Sequence, residues 1–248
     1  ISATVNPAWN YILQLDVLPL RNYRKRLVES TITKALLIAL ELKDQMKKLL
    51  LIAALMLCAS SGYAGEFNPV LDIGDAAPKW EKLPSITDKE VSFDQFKAHK
   101  ILVVAFTCNS CPYAVDYEDR LVAFAKKYAA SDSDVGFVAI NVNKIPEDNL
   151  DAMKARAKEK GFNFPYLYDD SQQIAQKYGA GYTPEFFVLN EKRQVVYMGA
   201  FDDSPDATKV KKQWVELAIA AVKSGEEIKT PETVAIGCRI RFERRRRK

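Results

Sequence analysis

The 248-residue sequence predicts an α/β domain of three layers, with helices on both sides of a central mixed β-sheet. Three observations predict it. Ile101 to Phe106 and Val135 to Ile140 are continuous apolar runs rich in β-branched residues, the mark of strands covered on both faces. Between them Tyr117, Leu121, Phe124 and Tyr128 recur on one helical face, so this stretch is a strand–helix–strand unit with parallel, adjacent strands. Further on, Phe186 to Leu189 and Val195 to Met198 flank the polar turn Asn190-Glu191-Lys192-Arg193, which gives an antiparallel hairpin.

The remaining elements follow in order. Ile73-Gly74-Asp75-Ala76-Ala77-Pro78 is turn-rich and not helical. The first helix of the domain begins at about Pro112. Pro146 opens a second, with Leu150, Met153 and Ala157 on one face and Gly161 as its stop. Phe164 to Tyr168 is a short strand. Ser171 caps a helix that carries Ile174, Ala175 and Tyr178 and stops at Gly179. A last amphipathic helix places Val210, Trp214, Leu217 and Ala221 together.

Composition is that of an ordinary globular chain, 48% hydrophobic and 27% charged, which excludes wholesale disorder and a multispan membrane protein. The net charge of +4 is unevenly placed. Residues 65–238 carry −6, whereas Arg239 to Lys248 hold seven positive charges and one negative. That balance argues against a nucleic-acid-binding face on the domain.

Met46 opens a secretory signal: Lys47 and Lys48 are its positive region, Leu49 to Leu57 its apolar run, and the small residues before Gly65 allow cleavage after Ala64. The run is too short to span a bilayer. Residues 1–45 precede that signal and are expected to be non-native upstream sequence with no function. Cys58 lacks the small preceding residue of a lipoprotein signal, since Leu57 stands there. The expected organisation is therefore 1–45 upstream segment, 46–64 signal, 65–236 domain, and 237–248 basic tail carrying Cys238. Export places the remaining cysteines in an oxidising setting, and the periplasm is the expected compartment.

Chemistry concentrates at Cys108-Asn109-Ser110-Cys111, at the turn from the first buried strand into the helix. A helix N-terminus presents unpaired N–H groups and partial positive charge, which favour thiolate over thiol. Cys108 is expected to be the more exposed, attacking thiol. Cys111 lies one turn in and resolves the mixed disulfide formed on Cys108. No cofactor is required beyond this redox-active pair. Zinc would need two further ligands, with only Cys238 and His99 left among the Cys and His residues, and His99 lies at the opposite end of the strand. A purely structural disulfide is the bland alternative, in a module that binds without catalysing. So short a loop makes a weak staple.

Cys108-x-x-Cys111 after a buried strand, with Thr183-Pro184 before the hairpin, resembles the thioredoxin fold. The resemblance covers about 74–225. Ile73 to Pro78 and the insert from Lys144 to Tyr168 resemble the redoxin and AhpC/TSA branch, and Thr107 to Tyr113 with Gly237-Cys238 resemble a peroxiredoxin-like bacterial subgroup. The resemblance implies a cis Pro184 and a Thr183 whose backbone meets a substrate strand. It implies a thiol–disulfide oxidoreductase acting on disulfide-containing or dithiol proteins, served by a redox partner protein. Three departures stand out. No acid lies on the strand before Cys108; the spacer Asn109-Ser110 has no histidine; and no proline and threonine precede either cysteine at peroxiredoxin spacing. Peroxide reduction is thus the runner-up, with Arg120 or Arg193 as its supporting arginine. Cys238 is either a third redox thiol or an unpaired thiol in a solvated tail.

Overall fold

A computed structural model describes residues 65–130 and 133–243, together with 33–34, 36, 38–40 and 42–48. The chain divides into two units, Ile1–Ser61 and Gly62–Lys248. The described residues of the first unit are helical and exposed. Most of the expected upstream and signal segments, and Arg244 to Lys248, lie outside the described residues. Among the described residues no helix is long and apolar enough to cross a membrane.

In the second unit the elements run β1 (Leu83–Pro84), β2 (Glu90–Val91), β3 (Ile101–Phe106), α1 (Pro112–Lys127), β4 (Val135–Asn141), α2 (Leu150–Lys160), β5 (Tyr166–Tyr168), α3 (Gln173–Tyr178), β6 (Tyr182–Thr183), β7 (Glu185–Leu189), β8 (Val195–Gly199), α4 (Trp214–Ser224) and β9 (Cys238–Arg239). The central sheet has the order β5-β4-β3-β7-β8. β3 pairs in parallel with β4 and antiparallel with β7, so the sheet is mixed as the sequence predicts. Every residue of β3 is buried.

Strand alternation sends β3 side chains into two separate cores. Leu102, Val104 and Phe106 face a core closed by α3, through Ile174, Ala175 and Tyr178, and by Trp80, Phe93 and Phe96. Ile101, Val103 and Ala105 face a core closed by α1 through Tyr117, Leu121 and Phe124, by α2 through Met153, and by α4. The three-layer arrangement follows from this division.

Four expectations change. Pro146 opens a 3-10 turn, Pro146–Asp148, rather than the helix; α2 starts after it, because Asn149 Oδ1 accepts the Ala152 N–H at 2.8 Å and caps the helix there. Asp169 Oδ2 accepts the Ile174 N–H at 2.8 Å, so Ser171 does not supply the principal cap of α3. Val210 lies outside α4, and Leu217 is 54% exposed; the buried face of that helix is Val215, Ala218 and Ile219. Finally, the fold does not stop at residue 236. β9 pairs antiparallel with β6, and Ile240 is buried in the core beneath α3.

The corrected helix face has a measurable consequence. Ile219→Ala removes buried methylenes and is expected to cost about 2–5 kcal/mol in urea unfolding. Leu217→Ala is expected to stay within about 0.5 kcal/mol of the parent protein. Equal losses at the two positions would restore the sequence-derived face.

Candidate redox site

β3 ends at Phe106, and α1 begins at Pro112, so Cys108 to Cys111 form the turn between them. Cys111 is the residue that caps α1; its carbonyl accepts the Val115 N–H at 3.0 Å, with Pro112 in the first helical position. The register of β3 with β7 pairs Phe106 with Glu185. Continued by two residues on each strand, that register sets Cys108 across from Thr183. The Thr183–Pro184 peptide bond is cis. Thr183 touches both sulfurs: Cys108 Sγ lies 3.4 Å from its Oγ1, and Cys111 Sγ donates to its carbonyl at 3.0 Å.

The turn is held from below by a residue that sequence reasoning missed. The carboxylate of Asp148 is fully buried. Its Oδ1 accepts the backbone N–H groups of Asn109 at 2.7 Å and Ser110 at 2.9 Å. Its Oδ2 accepts the Ser110 hydroxyl at 2.6 Å and the Asn143 amide at 3.0 Å. Asn109 is fixed in turn by the Glu147 carbonyl and the Tyr166 hydroxyl. The loop amides are thereby committed to a carboxylate and not to a sulfur. The usable signal was the Pro146 to Asn149 segment: once Asn149 is the cap, Asp148 is released from α2 and points back at the turn.

The expected difference in exposure between the two cysteines is absent. Cys108 is 4% exposed and Cys111 is 3% exposed. The loop is drawn inward onto Asp148, and Cys238 packs against the cluster formed by Cys108, Cys111 and Ala114. All three cysteines are free thiols.

The thiols ionise unequally. The hydrogen bond to Cys111, burial and the Asp148 charge push Cys108 well above the ordinary thiol range. Cys111 is drawn down to about 5, first by the hydrogen bond from Cys108, against the effect of its burial, and then by the Cys238 thiol and the backbone N–H groups of Ala114 and Cys238. Cys238 is pushed up to about 11 by burial and by the neighbouring Cys111. A protonated Cys111 donates to the Thr183 carbonyl, and an ionised Cys111 accepts from Cys108. Two neighbouring negative charges repel, so ionisation of Cys111 opposes that of Cys108.

The strand edge expected to receive a substrate is already paired. Thr183 stands opposite Cys238 in the β6–β9 register, and the Ile240 N–H donates to the Gly181 carbonyl at 2.9 Å. Beside Pro184, Glu185 is buried, and its Oε2 accepts the N–H groups of Gly181 at 2.8 Å and Tyr182 at 3.0 Å. Desolvation raises it to about 7.

The arginines considered for peroxide chemistry are committed elsewhere. Arg120 is paired with Asp202 and lies 3.8 Å over the Tyr117 ring. Arg193 donates to the carbonyls of Phe96 at 2.8 Å and His99 at 2.7 Å. His99 meets the Ser133 carbonyl at 2.9 Å. Among the described residues no group of three or more His, Cys, Asp or Glu is placed to hold a metal ion.

Two substitutions test these electrostatics. Asp148→Asn removes the negative charge beside Cys108 and keeps an oxygen for the loop amides. The pH profile of Cys108 alkylation, read by mass spectrometry, is expected to move to lower pH; an unmoved profile would mean that Asp148 only holds the loop. Glu185 has a folded-state pKa raised from 4.5 to about 7. Its protonated form therefore contributes stability that is complete below pH 4.5 and lost as pH rises through 7. Glu185→Gln is expected to lose less stability than the parent protein between pH 5 and 8 in urea unfolding. Parallel losses would refute that role.

The comparisons with known proteins fit this geometry. The Redoxin family model matches residues 72–213. Among solved structures, a hypothetical protein from Sinorhizobium meliloti 1021 is 35% identical, with a TM-score of 0.65 over 71% of this chain and 97% of its own. An uncharacterized conserved protein from Geobacillus kaustophilus is 31% identical, with a TM-score of 0.65 over 73% of this chain and 98% of its own. No curated protein matches the chain. With its thioredoxin-type sheet, its cis Pro184 and a family match over more than half its length, the chain belongs to the Redoxin family.

Proposed function

We propose that this redoxin is an exported thiol–disulfide oxidoreductase whose redox centre is the Cys108–Cys111 pair. One observation carries the reading: two free thiols lie at a strand-to-helix turn, and both touch the residue before the cis proline. The roles are those expected for the motif, Cys108 attacking and Cys111 resolving. As a substrate disulfide approaches, the Cys111 thiolate takes the Cys108 proton, and Cys108 attacks one substrate sulfur. That sulfur becomes bonded to Cys108 while its former partner leaves as a thiolate and takes up a proton. Cys111, having passed its proton to that first thiolate, attacks Cys108 Sγ; the Cys108–Cys111 bond forms, and the second substrate thiolate leaves and takes a proton from water. Electrons balance: the substrate disulfide is reduced to two thiols and the pair is oxidised.

Export rests on the signal read at 46–64, and the protein substrates and redox partner rest on the family resemblance. Periplasmic localisation is part of the same proposal.

Pre-reduced protein, with residues 1–64 removed, should accelerate insulin reduction and consume peroxide slowly. Cys108→Ser should abolish disulfide reduction. Cys111→Ser should trap mixed disulfides on Cys108, identified by mass spectrometry after acid quenching. Mixed disulfides trapped on Cys111 in the Cys108→Ser protein would reverse the two roles. Fast peroxide consumption with no disulfide exchange would replace the reading with peroxide reduction. Inactivity in both assays, with the pair staying oxidised under strong reductant, would leave a structural disulfide.

A further inference from the structure

The C-terminal strand is built onto the redox site. A Cβ at Gly237 would lie 2.2 Å from the Thr183 carbonyl oxygen and 3.0 Å from the Pro184 nitrogen, so this approach admits only glycine. Immediately after that contact, Cys238 stands opposite Thr183. Ile240 anchors the strand in the core. Gln172 clamps the segment that follows, donating to the Arg241 carbonyl at 2.9 Å and accepting the Glu243 N–H at 2.8 Å, while Arg241 donates its N–H to Asn143 Oδ1 at 3.2 Å. A solvated tail would need none of these contacts.

Thr183 is consequently flanked by two cysteines. Cys108 faces it through the β3–β7 register, and Cys238 faces it through the β6–β9 pair. Cys111 reaches the same residue through its bond to the Thr183 carbonyl, and Cys238 packs against the cluster of Cys108, Cys111 and Ala114. Cys238 is the most exposed of the three.

We propose that Cys238 is the third member of a linear thiol relay: substrate oxidises the buried Cys108–Cys111 pair, and a reductant thiol regenerates it by attacking Cys238. The proposal rests on the Cys108–Cys111 reading. In the first step the Cys238 thiolate attacks Cys111 Sγ. The Cys111–Cys238 bond forms, the Cys108–Cys111 bond breaks, and Cys108 leaves as a thiolate that takes up the proton Cys238 gave up. No electrons leave the protein. A reductant thiolate next attacks Cys238 Sγ and releases the Cys111 thiolate. A second reductant thiol attacks the reductant's own sulfur in that mixed disulfide and releases Cys238. The reductant leaves as a disulfide, and all three cysteines are again reduced.

Oxidation of the pair eases this first step. Burial, and after it the neighbouring Cys111, raise Cys238 while the pair is reduced. A Cys111 already in a disulfide carries no charge and accepts no thiol proton, so its share of that restraint is removed, while the Arg241 charge continues to favour the Cys238 thiolate.

The test uses oxidised and reduced glutathione and three versions of the chain. In Cys108→Ser, oxidised glutathione should convert Cys111 and Cys238 to an intramolecular disulfide, seen by peptide mapping under acid. Acid-quenched oxidised wild type, which carries no substitution, should contain the Cys111–Cys238 isomer beside Cys108–Cys111. In Cys238→Ser the Cys108–Cys111 disulfide should still form, and reduced glutathione should reduce it at least about ten-fold more slowly than in wild type. Absence of the Cys111–Cys238 bond from both Cys108→Ser and wild type would overturn the relay, as would reduction of oxidised Cys238→Ser at the wild-type rate. Absence of the Cys108–Cys111 bond from wild type and Cys238→Ser alike would instead remove the underlying pair.

Discussion

The carboxylate of Asp148 is fully buried, and a buried carboxylate must be surrounded by donors. The donors it recruits are two backbone N–H groups and a hydroxyl of the cysteine loop, with the Asn143 amide behind them. Removing any of them would leave a buried acceptor short of a partner, at a cost of about 1–3 kcal/mol. The conformation of Asn109 and Ser110 is thus fixed by Asp148, and the positions of Cys108 and Cys111 follow from it. The same charge acts on chemistry, because it opposes a second negative charge at Cys108. One side chain thus holds the loop and adds to the effects that raise Cys108.

Sheet topology completes the site from the other side. β3 is the strand at which pairing changes from parallel to antiparallel, and crevices at the carboxyl ends of such strands are where α/β folds place ligands. The antiparallel partner β7 follows directly on Pro184, so the β3–β7 register brings Thr183 to the cysteines with no further device. The two cores on either side of β3 make that strand rigid: none of its six residues is exposed to solvent. The thiols stand just beyond the end of a strand buried along its whole length.

The parts of this arrangement that local pattern controls were legible in the sequence. Continuous apolar runs located β3 and β4, and the strand–turn–helix context singled out Cys108 and Cys111. What depended on distant partners was not legible. Asp148 reads locally as a first-turn acid of a helix opened by Pro146, and only the cap at the next residue, Asn149, displaces it. Leu217 fits a periodic face together with Val210, yet the backbone from Val210 to Gln213 is not helical and breaks that register. Cys238 pairs with a strand more than fifty residues away in sequence. The alternation of Cys238, Ile240 and Phe242 was its one local trace, and the charged residues around it masked the pattern.

A four-residue loop closed by a disulfide constrains the unfolded chain little, so oxidising Cys108 and Cys111 changes stability little through chain entropy. That weakness fits the exchange role proposed for the pair. Stability comes instead from contacts that do not involve sulfur: the Asp148 cradle, the two cores and the anchored C-terminal strand. The sulfurs are free to exchange partners because nothing else in the fold relies on which of them are bonded. Ionisation couples them nonetheless: a Cys111 thiolate opposes ionisation of Cys108 and adds to the burial that holds Cys238 protonated.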